Sequence, residues 1–64
     1  MDISNIPAEQ RAALDKLYHR IETDRPTWED FLKTVQPGFD GSGCLMVPLW
    51  NMWIGIEKDG YTHS

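Results

Sequence analysis

The 64-residue chain has one cysteine, no cluster of basic residues and no apolar run long enough to cross a bilayer. A lone Cys44 can form no intramolecular disulfide, and it excludes zinc centres built on several thiolates. The basic residues Arg11, Lys16, Arg20, Arg25, Lys33 and Lys58 are scattered and the formal net charge is −4, so the chain lacks the footprint that grips a phosphate backbone. No direct nucleic-acid partner is expected. The same charge is too ordinary for a nucleic-acid mimic, which needs a dense acidic surface. The longest apolar stretch, Cys44 to Ile56, is broken by Pro48, Asn51 and Gly55. A spanning helix needs roughly 20 apolar residues, so no membrane partner is expected either. Met1-Asp2-Ile3-Ser4-Asn5 lacks a basic segment followed by an apolar one, and with a single thiol this points to the cytoplasm.

A chain of this length is one domain, residues 1–64, and buries only about 60% of the surface its unfolded form exposes. Domains this small depend on disulfides, metals, oligomerisation or very good packing. Without a disulfide or a thiolate cluster, packing and self-association are the expected supports.

Two helix signals occupy the first half. Ser4 or Asn5 can cap a helix that starts at Pro7, where a missing N–H costs nothing, and Glu9 suits the positive end of its dipole. Ile6, Leu14, Leu17, Tyr18 and Ile21 fall on one stripe, and Arg25-Pro26 ends the run. Thr27 then caps a second helix with Glu29 and Asp30 in its first turn and Trp28, Phe31, Leu32 and Val35 on one face. Pro37-Gly38 closes it after about ten residues, too short a helix to stand alone. Phe39-Asp40-Gly41-Ser42-Gly43 reads as a connection. Its glycines match no phosphate-binding fingerprint, since no lysine follows and no strand precedes.

What is abundant is apolar surface between Cys44 and Ile56. Strands are expected at about 44–49, 52–57 and 61–63, with a tight connection at Trp50-Asn51 and a type I′ turn at Asp59-Gly60. Pro48 places the first strand at an edge or a bulge. Side chains alternate across a sheet, so Leu45, Val47 and Leu49 share one face with Met52, Ile54 and Ile56, ready to meet the helices. The other parity carries Cys44, Met46, Pro48 and Trp50 beside Trp53, Gly55 and Glu57. Gly55 is expected to leave a gap beside the Trp53 indole. Whether Tyr61 joins that face depends on whether the preceding loop has two residues or three.

Candidate chemistry is sparse. Asp15, His19 and Glu22 at i, i+4 and i+7 place two carboxylates and an imidazole on one helical stripe, a spacing that can hold a divalent ion, but the stripe lies beside the apolar face and a solvated acidic edge with a local Asp15–His19 pair is the favoured reading. Cys44 and His63 are the residue types of a thiol nucleophile and its base, but Cys44 opens an apolar strand, where cysteine usually packs as a small hydrophobe. No Ser-His-Asp arrangement or nucleophile elbow is present, and no cofactor is called for.

The resulting expectation is an α+β fold with two short N-terminal helices packed on one face of a small two- or three-stranded antiparallel sheet. The uncovered face, with Met46, Trp50, Trp53 and Tyr61, is expected to bind a protein partner or a second copy of the chain. That describes a non-enzymatic interaction module: a small acidic accessory or inhibitor protein, of the kind phage and mobile elements encode to block a host protein. The alternatives are a homo-oligomeric structural protein and a small metal- or ligand-binding enzyme using Asp15, His19 and Glu22.

Overall fold

The computed structural model describes residues 6–38 and 43–64. It is an α+β fold: helices α1 (Ala8–His19) and α2 (Trp28–Thr34) are followed by strands β1 (Gln36–Pro37), β2 (Leu45–Leu49), β3 (Met52–Ile56) and β4 (Thr62–His63). The strands form one antiparallel sheet in the order β1-β2-β3-β4. The expected caps Ser4 and Asn5 and the connection at 39–42 lie outside the described residues.

Helix α1 begins one residue later than expected, with Pro7 as the cap residue and Ala8 as the first helical residue. It also ends earlier, at His19. The N–H groups of Arg20 and Ile21 donate to the carbonyls of Leu17 and Tyr18, tightening the last turn, and Asp24 takes a left-handed φ of 54°. The Arg25 guanidinium donates to the carbonyls of Ile21 (2.9 Å) and His19 (3.1 Å), supplying partners for the helix end. Thr27 caps α2 as its sequence implies, its hydroxyl accepting from the Asp30 N–H at 3.2 Å. Between the helices, the rings of Tyr18, Trp28 and Phe31 lie 5.2–5.7 Å apart, and the Tyr18 hydroxyl donates to the Pro26 carbonyl at 2.7 Å.

Helix α2 has only seven residues because Gln36 and Pro37 leave it to pair with Met46 and Leu45, adding a strand to the two or three expected. Strand β2 is therefore internal in the sheet order, against the edge position that Pro48 suggested. Pro48 is tolerated because β1 reaches only Leu45 and Met46. In a two-residue hairpin the closing pair Leu49–Met52 is hydrogen-bonded and the next, Pro48–Trp53, is not, so the missing N–H of Pro48 falls on the side where β1 has already ended.

The first hairpin turn is tight as expected, and the second departs from its expected geometry. Trp50 (φ 51°) and Asn51 (φ 62°) both adopt the left-handed conformation of a type I′ turn. The second loop has three residues, Lys58-Asp59-Gly60, with only Gly60 at positive φ (91°). The Gly60 N–H donates to Glu57 O, and the Glu57 N–H donates to Tyr61 O. That is a type I turn closed by a left-handed glycine, in place of the I′ turn expected at Asp59-Gly60.

Both helices pack on one face of the sheet. Leu14, Leu17, Phe31, Leu32 and Val35 meet Leu45, Val47, Ile54 and Ile56 in one core cluster. Met52 shares the parity of this inner face but is exposed. Among the described residues one polar side chain is buried: Gln10, 1% exposed, sits on the apolar stripe of α1 four residues before Leu14. Its amide N–H groups donate to the carbonyls of Gly43 (2.9 Å) and Ile56 (3.1 Å), tying α1 to the sheet. Among the described residues no helix is long and apolar enough to cross a membrane.

Candidate functional site

The outer face of the sheet follows from the register. Met46 pairs with Gly55, Pro48 with Trp53, and Gly55 with His63. Of the four residues expected on this face, Met46 is half-buried, Trp53 is 44% exposed and Tyr61 is 65% exposed. Trp50 departs from that expectation: its left-handed backbone places it at the hairpin tip, where the Arg20 guanidinium at the end of α1 lies 5.3 Å from its ring centre. Trp50 thus leans towards the helical layer. Among the described residues, the large exposed hydrophobics Trp50, Met52, Trp53 and Tyr61 all belong to the sheet and its turns, and none to a helix.

The loop length settles the position of Tyr61. With three residues between Glu57 and Tyr61, Ile56 pairs with Thr62 and Gly55 with His63, so Tyr61 and His63 share the outer face with Glu57. A two-residue loop would have set His63 opposite Ile56, on the inner face. The gap expected beside Trp53 is occupied. The His63 imidazole lies over Gly55, so close that a Cβ at position 55 would stand 2.7 Å from its Cε1. The Tyr61 ring stacks beside that imidazole, with centroids 6.0 Å apart and an interplanar angle of 22°.

The same register brings together side chains that are distant in sequence. The Cys44 Sγ, a Glu57 carboxylate oxygen and a His63 ring nitrogen all lie within 4.8 Å of one another, with His63 Nε2 4.0 Å from Glu57 Oε1. Cys44 immediately precedes β2, Glu57 immediately follows β3 and His63 belongs to β4, so the groups come from one end of three neighbouring strands. The thiol is buried, its sulfur 3.6 Å from the Leu45 carbonyl, whereas His63 and Glu57 are roughly half exposed. Gln10 reaches the same place from the opposite side. The two carbonyls it holds belong to Gly43 and Ile56, the residues immediately before Cys44 and Glu57.

Cys44 and His63 were therefore legible as residue types, Gly55 and Glu57 were placed on the right face without a role in the cluster, and Gln10 was missed. A glycine opposite a histidine and a glutamine on an apolar helical stripe were the available signals. The Asp15–His19–Glu22 stripe does not assemble. His19 Nδ1 contacts the Asp15 carbonyl oxygen at 2.8 Å and its carboxylate at 3.5 Å, both side chains are well exposed, and Glu22 lies beyond the end of α1. Among the described residues, the cluster of three or more potential metal-ligating side chains is Cys44, Glu57 and His63.

No family model matches the sequence, and comparison with curated proteins and with solved structures finds no match.

Proposed function

We propose that the protein is a non-enzymatic protein-interaction module that docks through the outer face of its sheet. One observation carries this reading: both helices pack on the inner face, and the exposed Trp53 and Tyr61 stand on the other beside Met46. Large apolar side chains exposed on an uncovered sheet face are the kind of surface that interaction sites use, and Trp and Tyr are among the residues that most often dominate binding energy. The net charge of −4 favours a basic partner over an acidic one. A role as a small cytoplasmic accessory or inhibitor protein, including one encoded by a phage or mobile element to block a host protein, fits this reading.

The test is the mass in solution of the native protein and of Trp53→Glu, followed by capture of binding partners by each from the source cell's lysate. A dimer that becomes a folded monomer assigns the face to self-association. A native monomer whose captured partner is lost on substitution assigns it to a foreign protein. If the two proteins have the same mass and capture the same proteins, the outer face is not the docking surface.

A further inference from the structure

We propose that Cys44, Glu57 and His63 form a divalent transition-metal site, with zinc as the ion it suits best. The three donor atoms converge within 4.8 Å, from the residue before β2, the residue after β3 and the end of β4. Zinc bonds to sulfur at about 2.3 Å and to nitrogen and oxygen at about 2.0–2.2 Å, so donors now within 4.8 Å of one another close in to roughly 3.2–3.6 Å apart around an ion at their centre. Thiolate is a soft donor and imidazole a borderline one, so both discriminate against calcium and magnesium, and with one carboxylate beside them they make a zinc donor set. Three protein ligands leave a fourth position for water. It opens to solvent, because the Glu57 and His63 side chains are 47% and 43% exposed while the thiol is buried beneath them.

Two further features hold these donors in place. Gly55 lets the imidazole lie flush on β3, since a Cβ there would stand 2.7 Å from Cε1 and 2.8 Å from Nε2, and Tyr61 stacks against the ring. Behind the sheet, the buried Gln10 amide fixes the carbonyls that immediately precede Cys44 and Glu57. Outer partners of this kind orient ligands in known metal centres. On binding, the Cys44 thiol gives its proton to solvent and its sulfur forms the metal bond, so uptake releases about one proton if the imidazole is already neutral. The ion would clasp the two-residue β4 to the starts and ends of its neighbours, the kind of staple on which a disulfide-free domain of this size depends.

The experiment is a titration of the untagged native protein with Co²⁺, followed by competition with Zn²⁺. Expected are one equivalent bound, a thiolate-to-cobalt charge-transfer band in the near ultraviolet, its displacement by Zn²⁺, and a higher melting temperature with Zn²⁺. Cys44→Ser should abolish the band; because Cys44 is buried, Cys44→Ala is made alongside and each variant's fold is checked by circular dichroism. The exposed substitutions His63→Ala and Glu57→Gln should each weaken binding by at least the roughly 10- to 100-fold that loss of an outer partner alone costs. His19→Ala, on α1 and outside the cluster, should leave affinity unchanged. The proposal is overturned by an absent band, by a band that survives Cys44→Ser in a folded protein, or by affinity that follows His19 and is indifferent to His63 and Glu57.

Discussion

The two faces of the sheet come from the same strands, yet they are composed differently. On the inner face, aliphatic residues oppose aliphatic residues, Leu45 with Ile56 and Val47 with Ile54, and all four are buried under the helices. On the outer face, large residues oppose residues that offer little side chain: Met46 meets Gly55, and Trp53 meets Pro48. Matched pairs fill space and favour one compact packing. Mismatched pairs leave hollows, and one of these receives the imidazole of His63. The inner face therefore holds the fold together, and the outer face carries side chains whose identity is free to serve another purpose.

The largest test of this contrast is Phe31→Ala, which opens a cavity where α2 meets the sheet. It should cost about 3–5 kcal/mol. A domain of this size holds only about 3–10 kcal/mol in total, so urea denaturation should find the variant largely unfolded. Gln10→Ala comes next, at about 1–3 kcal/mol, since it withdraws a buried donor from two carbonyls; the shift of the urea midpoint reads it. Smallest is Trp53→Ala, expected within about 0.5 kcal/mol of the native protein by the same measurement. A loss of several kcal/mol there would place the indole in the core and erase the distinction between the faces.

Much of the inner face could be read from residue order. Thr27 announced the cap of α2, and the alternation of Leu45-Val47 and Ile54-Ile56 identified the side that meets the helices. Strand β1 could not be read, because Gln36-Pro37 has no strand-forming composition and pairs only through its tertiary neighbour. The Cys44–Glu57–His63 cluster was hidden for a sharper reason. Its members come together only if the loop after Glu57 has three residues, and Asp59-Gly60 is also a strong signal for a two-residue turn. One residue of register reverses every side chain beyond it, so a choice between two turns decided whether His63 joined the site or left it.

Each strand in the sheet lies beside its neighbour in sequence, so the hairpins can close across short loops. The hydrogen bond from Gln10 to Ile56 is different, spanning 46 residues. Contacts with so large a loop to close tend to form late, after the folding barrier has been crossed. Removal of the Gln10 amide should then leave the refolding rate almost unchanged and accelerate unfolding. The buried amide would act as a latch that sets how long the folded molecule lasts and has little influence on how fast it is made.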